Sequence, residues 1–277
     1  MYTVTFVFIF ILGTLIGSFL NVVIYRFNTG KSIVKGRSIC MSCNKKLRWF
    51  ELIPIFSWLI QSGKCRRCAS YISHQYPLVE FFTGLVFVLL TYKLWPMLYL
   101  SYNAFMVYLV FYMFVFSLLI VITVYDIRHK IIPNKLVYIF IFTSLLSLFF
   151  TFSSTSIVFT LPSLSSVLSG PILALPFAFI WLISKGKWMG LGDSKLILGI
   201  GWLLSPLAAF TALVLSFWIG AIISLIIMFF PSKRYGFKIE KINMKTEIPF
   251  APFLIFGALI TFLFNINIIS LLSRIHF

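Results

Sequence analysis

Acidic residues are scarce in this sequence: six Asp and Glu stand against 23 Lys and Arg in 277 residues. Charged residues of either sign make up 10% of the chain, apolar residues make up 61%, and the mean hydropathy is +1.04. A soluble domain carries roughly a quarter charged residues and about half apolar ones. This composition excludes a soluble globular enzyme, a disordered chain and a small disulfide-rich module. It indicates a polytopic membrane protein.

The net charge of +17 would suit a nucleic-acid-binding protein, but its distribution argues against that function. Five long stretches carry no charged residue, and the basic residues fill the gaps between them. The uncharged stretches are residues 1–25, 94–125, 136–184, 196–232 and 248–273. Basic loops between apolar spans are typical of the cytoplasmic side of a membrane protein. We therefore expect anionic membrane lipids as partners of this charge, and no nucleic acid.

The apolar runs are long enough to cross a bilayer, which takes about 20 residues at about 1.5 Å of rise per residue. Two of the uncharged stretches are too long for a single span. We expect one to break in a Ser- and Thr-rich loop at residues 151–166, and the other to turn near Pro206. The sequence thus predicts an all-α polytopic membrane protein of about eight transmembrane helices. These helices are expected at residues 3–24, 77–93, 99–125, 133–152, 166–184, 193–207, 209–230 and 248–269.

The basic residues also predict an orientation. With the amino terminus outside, eight crossings leave both termini outside and four loops on the cytoplasmic side. Those loops are residues 25–76, 126–132, 185–192 and 231–247. Of the 23 basic residues, only Lys93 and Arg274 then fall on the outer side. The excess of Lys and Arg in cytoplasmic loops favours this orientation.

All four cysteines lie in one of these loops, residues 25–76, as two Cys-x-x-Cys pairs. Cys40 and Cys43 form one pair, Cys65 and Cys68 the other, and such paired thiolates are typical of tetrahedral zinc sites. Disulfides or unused thiols are the alternatives, and a reducing cytoplasm disfavours disulfides. Four thiolates leave no position for a substrate, so we predict a structural zinc that folds a loop with little core of its own.

The chain contains only two aspartates, Asp126 and Asp193, each at the cytoplasmic end of a predicted helix. Gly190 and Gly192 precede the second. A carboxylate at the edge of the hydrocarbon region is costly, and its presence suggests a function. Pairing with a neighbouring base such as Lys195 is the structural alternative. Two adjacent carboxylates share a proton, so that one acts as base on a water while the other donates a proton to a carbonyl. This is the chemistry of aspartic proteases.

Several segments together resemble the type IV prepilin leader peptidases, a family of membrane aspartic proteases with a Gly-x-Gly-Asp motif. The matching segments are residues 17–26, the four-cysteine loop, residues 72–80, 126–134, 190–195 and 248–253. The resemblance implies a catalytic pair, Asp126 and Asp193, with support from Gly190, Gly192 and Lys195. It also implies that Cys40, Cys43, Cys65 and Cys68 bind the structural zinc.

The family resemblance implies two regions and two activities. Residues 1–96 would hold the first helix, the zinc loop and the second helix, and would be associated with methyl transfer. Residues 97–277 would form a six-helix peptidase domain. Such enzymes, in the bacterial cytoplasmic membrane, cleave leaders from type IV prepilins or pseudopilins at the cytoplasmic face. Long members also methylate the new amino terminus with S-adenosylmethionine. Glu80 is a candidate for that step or for positioning the new amine; pairing with a basic residue of the zinc loop is the alternative.

Three other functions are compatible with parts of the sequence. A presenilin or signal-peptide-peptidase type of protease shares Tyr-Asp and Gly-x-Gly-Asp but has no zinc loop. A proton-coupled transporter could use the two acids as a relay. A peptidase-like assembly factor would need only the zinc loop.

Overall fold

The computed structural model describes residues 2–153, 156–229 and 248–267. The chain forms two compact units, Met1–Val124 and Tyr125–Phe277, and each is described by itself. Three features expected from the sequence lie outside the described residues: the loop at 231–247, the end of the last helix at 268–269, and Arg274.

The first unit is built on two long helices, with the cysteine loop between them. Helix α1 spans Tyr2–Arg26. The loop contains a turn of 3₁₀ helix at Trp49–Leu52 and the short helix α2 at Phe56–Ile60. Helix α3 follows at Gln75–Leu98. Helix α4, Tyr102–His129, begins in this unit and enters the second unit at its last turns.

Helices α1 and α3 approach closely because glycines face one another between them. A β-carbon on Gly13 would lie 2.7 Å from the Cα of Gly84, and one on Gly17 would lie 2.7 Å from the Cα of Glu80. Small residues allow membrane helices to pack backbone against backbone. The spacing Gly13-x-x-x-Gly17 is the sequence pattern that produces this contact. The seam also contains Asn21, whose Nδ2 donates to the carbonyl of Tyr76 in α3 at 3.1 Å.

The second unit contains five helices and a short hairpin after the end of α4. Their bounds are α5 Asn134–Ser147, β1 Phe150–Ser153, β2 Ser156–Phe159, α6 Leu164–Ser184, α7 Leu191–Leu203, α8 Pro206–Phe229 and α9 Ala251–Phe264.

The core of this unit includes the close pair α6 and α7. A β-carbon on Gly201 would lie 2.5 Å from the Cα of Gly170, so no larger residue fits there. Pro171 has no N–H, which leaves the Val167 carbonyl without its helical partner. The indole Nε1 of Trp202 donates to that carbonyl at 2.8 Å. The proline thus creates an acceptor that joins the two helices.

The prediction of an all-α polytopic fold is confirmed. A helix lies at each of the eight predicted places, and five are long and apolar enough to cross a membrane. Those five are α1, α3, α4, α6 and α8. Helices α5 and α9 are shorter apolar helices, and α7 has 13 residues. That all eight helices cross the membrane stays a prediction.

Two details of the prediction were wrong. The helix expected at 133–152 ends at Ser147, and the segment expected as a loop contains the hairpin of β1 and β2. Its strands pair Phe150 with Phe159 and Ser153 with Ser156. Aromatic and β-branched residues dominate both strands, and such residues favour extended backbone. Composition rich in Ser and Thr had indicated a loop without this pairing.

Candidate active site and metal centre

The four cysteine sulfurs converge on one point. Their Sγ atoms all lie within 4.8 Å of one another, and those of Cys40 and Cys68 are 3.9 Å apart. Tetrahedral zinc with Zn–S bonds of about 2.3 Å separates its sulfurs by about 3.8 Å. The donor set and spacing therefore fit a zinc ion.

The two Cys-x-x-Cys segments have the same backbone geometry. In the first, the Cys40 N–H donates to the Lys45 carbonyl at 2.9 Å, and the Asn44 N–H donates back to the Cys40 carbonyl at 3.0 Å. In the second, the Cys65 N–H donates to the Ser70 carbonyl and the Ala69 N–H donates back to the Cys65 carbonyl, both at 2.9 Å. Asn44 and Ala69 both have a φ of 54°. Two equivalent turns thus present two thiols each to a common centre.

Hydrogen bonds already favour the thiolate form at part of this cluster. A backbone N–H of Cys43 lowers the pKa of Cys40 to about 6, against the opposing effect of burial. The hydroxyl of Ser70 lowers the pKa of Cys68. For Cys43, a backbone hydrogen bond from Lys45 is outweighed by burial and by the neighbouring thiols, which raise its pKa to about 11. A bound cation would favour thiolate at all four positions.

Glu80, the candidate for methyl transfer, is a buried acid in the second turn of α3. Its Oε2 accepts the backbone N–H of Ile55 at 2.7 Å, and the Ser18 hydroxyl also bonds to the carboxylate. Ile55 has a φ of 61°, which is strained for a β-branched residue. The partners of Glu80 are therefore a backbone amide and a hydroxyl, in place of the basic side chain that the alternative expected. The carboxylate ties the zinc loop to α1 and α3.

The two aspartates lie in the second unit and are both buried, with 4% of Asp126 and 9% of Asp193 exposed. Asp126 occupies the last turns of α4 and accepts the backbone N–H of Ala251, the first residue of α9. Asp193 lies in the first turn of α7 and accepts the backbone N–H of Gly190. The two carboxylates are close enough for the charge of one to act on the other. Asp193 thus lies at the amino-terminal end of α7, and Asp126 contacts the amino-terminal end of α9, where the helix dipole favours negative charge.

The two glycines of the Gly-x-Gly-Asp segment differ in their surroundings. A β-carbon on Gly192 would lie 2.8 Å from the Cβ of Ile132, which is closer than real β-carbons approach. A β-carbon on Gly190 would lie 3.6 Å from the Oδ2 of Asp193, an ordinary contact. Gly192 is therefore required by the close approach of Ile132, and Gly190 is not required by space.

Lys195, expected to support this segment, points toward α5. Its Nζ donates to Asn134 Oδ1 and to the Tyr138 hydroxyl, both at 2.9 Å, and it lies 4.8 Å from the centre of the Tyr138 ring. These contacts connect the first turn of α7 to the start of α5. Sequence reasoning missed Tyr138, and it included Ala251 in the matching segment 248–253 without predicting its bond to Asp126. Tyr138 lies one turn after Asn134, and this spacing was the available signal.

Comparisons with known proteins identify the family. Residues 11–94 match the model of the bacterial peptidase A24 N-terminal domain, and residues 113–225 match that of the type IV leader peptidase family. The first match includes all four cysteines and Glu80; the second includes Asp126 and Asp193. No solved structure matches the chain at a significant level.

Relatives support the same assignment. A Bacillus subtilis protein named "Prepilin leader peptidase/N-methyltransferase" is 30% identical over 271 residues, which cover 95% of each chain. One of the same name from Stutzerimonas stutzeri is 28% identical over 88% of this chain and 85% of its own. Another from Myxococcus xanthus is 53% identical over 81 residues, but this stretch covers only 24% of that relative. The chain therefore belongs to the type IV leader peptidase family, as its motifs predicted.

Proposed function

We propose that this protein is a membrane aspartic endopeptidase that removes the leader peptide from type IV prepilins or pseudopilins. The observation that carries the proposal is the buried pair Asp126 and Asp193, which interact within one unit. Relatives over nearly the full length carry the name of prepilin leader peptidase. The basic loops favour cleavage at the cytoplasmic face of a bacterial cytoplasmic membrane, with both termini outside.

The chemistry follows from the placement of the two carboxylates. Two negative charges this close repel one another, so the pair retains a proton and titrates as a unit. The ionised carboxylate takes a proton from a water, which attacks the scissile carbonyl, and the protonated one donates to the carbonyl oxygen. The backbone N–H groups of Ala251 and Gly190 hold the two carboxylates in position. Neither step needs a covalent intermediate.

A cleavage assay tests the pair. A prepilin is mixed with the purified protein in detergent, and loss of the leader is followed on a gel for wild type, Asp126→Asn and Asp193→Asn. Each Asn variant is expected to lose roughly 10²- to 10⁴-fold in rate, which is the usual contribution of a proton-transferring group. Thermal unfolding of the three proteins controls for misfolding. Full cleavage by a folded Asn variant would overturn the proposal, and a transporter or assembly factor would then be the better interpretation.

We also propose that the protein methylates the new amino terminus with S-adenosylmethionine, since relatives carry N-methyltransferase in their names. Two hydrogen-bond acceptors at the seam of α1 and α3 suit an amino group. These are the Glu80 carboxylate and the Asn21 Oδ1, which is buried and has no partner among the described residues. They would hold the amine of the donor or of the new terminus; the donor supplies the methyl group. Labelled S-adenosylmethionine added to the cleavage assay measures transfer of the methyl group. Equilibrium dialysis compares the binding of S-adenosylmethionine to wild type and to Glu80→Gln.

A further inference from the structure

An exposed row of large apolar side chains runs along the zinc loop. We call it the apolar ridge: Trp49, Leu52, Ile53, Phe56, Leu59 and Ile60. Phe56, Leu59 and Ile60 recur at spacings of three and four residues within α2, so they share one side of that helix, and Trp49 and Leu52 lie three residues apart in the preceding 3₁₀ turn. Trp49 is 78% exposed and Ile60 is 71% exposed. Such contiguous exposed apolar surface marks an interaction site.

The opposite side of α2 faces the loop itself. The indole Nε1 of Trp58 donates to the Ile72 carbonyl at 3.1 Å, and its ring lies over Gly63, where a β-carbon would meet it at 2.9 Å. Trp58 also packs on the His74 ring. The short helix is therefore amphipathic by contact, with one tryptophan turned inward and the ridge turned outward.

The Glu80 contact fixes the level of the ridge relative to the membrane helix. Glu80 lies five residues into α3, about 7.5 Å from its start at about 1.5 Å per residue. Helix α3 has 24 residues, about 36 Å, whereas a hydrocarbon core is about 30 Å thick. Because Oε2 of Glu80 holds the Ile55 N–H, the start of α2 lies close to the boundary between headgroups and acyl chains. Phe56, a member of the ridge, is the next residue.

Exposed basic residues flank the ridge: Lys46, Arg48, Lys64, Arg66 and Arg67. Apolar side chains beside Lys and Arg are typical of segments that lie in the plane of a membrane interface. The proposed substrate carries a basic leader, which these residues would repel. We infer that the apolar ridge inserts into the cytoplasmic headgroup region of the bilayer and that the flanking basic residues bind anionic lipid heads. The zinc fold thereby presents a membrane-docking surface.

Photo-crosslinking of the full-length protein in bilayers tests this inference. Photoreactive benzoylphenylalanine replaces Leu59 in one variant, Ile60 in a second and Val34 in a third. Val34 is a matched control, since it is apolar and 87% exposed. Its segment is held by the guanidinium of Arg26, the last residue of α1, through bonds to the Ser32 and Lys35 carbonyls at 2.8 and 3.1 Å. It therefore lies beyond the end of a membrane helix.

The proteins are placed in bilayers that contain equal amounts of phosphatidylcholine and phosphatidylglycerol. They are then irradiated and analysed by mass spectrometry. Lipid adducts are expected at positions 59 and 60, the sites of Leu59 and Ile60, and none is expected at position 34, the site of Val34. Adducts to a second copy or to an added prepilin, equal lipid labelling at Val34, or no adduct at either ridge position would each overturn the inference. Zinc content of every variant confirms that the loop is folded.

Quenching by brominated lipids provides a second measurement on the same bilayers. The fluorescence difference between wild type and Trp49→Phe isolates the contribution of Trp49. Lipids brominated near the headgroup are expected to quench this component more strongly than lipids brominated at the chain ends. Equal quenching by the two lipids, or no quenching, contradicts insertion at the interface.

Discussion

The side chain of Ile132 lies directly against the backbone of Gly192, so that a β-carbon there would be 2.8 Å from the Cβ of Ile132. This contact is made by the branched carbon next to the backbone, which cannot rotate away. It sets the distance between the segment after Asp126 and the first turn of α7, which carries Asp193. The separation of the two carboxylates therefore depends on residue 192 having no side chain.

We expect Gly192→Ala to lower prepilin cleavage strongly and Gly190→Ala to change it little. Overpacking costs about 1–3 kcal/mol, and a shift of about 1 Å at a reacting group can lower a rate by roughly 10²-fold. At Gly190 a methyl group makes only an ordinary contact at 3.6 Å. Cleavage rates of the purified variants are compared. Adding Ile132→Gly to Gly192→Ala removes the clashing β-carbon and should restore part of the lost rate, whereas no recovery would contradict a steric cause.

Variants at Lys195 and at its partners test whether the hydrogen bonds of this side chain or its positive charge supports cleavage. Its Nζ bonds to Asn134 and Tyr138 rather than to Asp193. We expect Lys195→Met to reduce cleavage, and the double variant Asn134→Ala, Tyr138→Phe to reduce it by a similar factor although the ammonium is retained. Each hydrogen bond contributes about 0.5–1.5 kcal/mol, so a loss of roughly 5- to 150-fold is expected for both bonds together. If the double variant cleaves like wild type while Lys195→Met does not, the charge of Lys195 is what matters.

Helix positions and the convergence of the four cysteines were predictable from the sequence for identifiable reasons. Long apolar stretches with few charges predict helices because a bilayer tolerates few charges, and a helix lies at each of the eight predicted places. Paired Cys-x-x-Cys spacing specified the metal cluster because the ligands of each pair are local. The aspartates stand out because acids at membrane depth are rare, and their catalytic role stays a prediction.

What the sequence did not reveal depends on contacts between distant segments. The bond from Ala251 to Asp126 joins α9 to α4, and no local pattern encodes it. The Glu80 bond to Ile55 depends on a positive φ at a β-branched residue, which contradicts the local preference of isoleucine. Both lie at candidate functional sites, where local rules are most often broken.

Loss of one thiol should remove the metal. We expect Cys40→Ser to lower zinc well below the single ion per chain expected for wild type and to reduce the yield of folded protein, because the ion holds two turns that have little core. Ser42→Ala, in the same turn, is the matched control and should bind zinc normally. Atomic absorption of purified protein measures the metal. Wild-type zinc content in Cys40→Ser would contradict the four-thiolate site.

Two substitutions of Glu80 separate the role of its negative charge from the role of its hydrogen bond. Glu80→Gln keeps an oxygen that can accept the Ile55 N–H but removes the negative charge, whereas Glu80→Ala removes both. If the carboxylate anchors the loop, the alanine variant should lose about 1–3 kcal/mol of stability, because it leaves the N–H unpaired, and the glutamine variant should lose much less. If the charge also holds an amine, glutamine should abolish methyl transfer while leader cleavage continues. Thermal unfolding and labelled S-adenosylmethionine measure the two effects in the same preparations. Equal instability of both variants would contradict the anchoring role, and full methylation by Glu80→Gln would contradict the binding role.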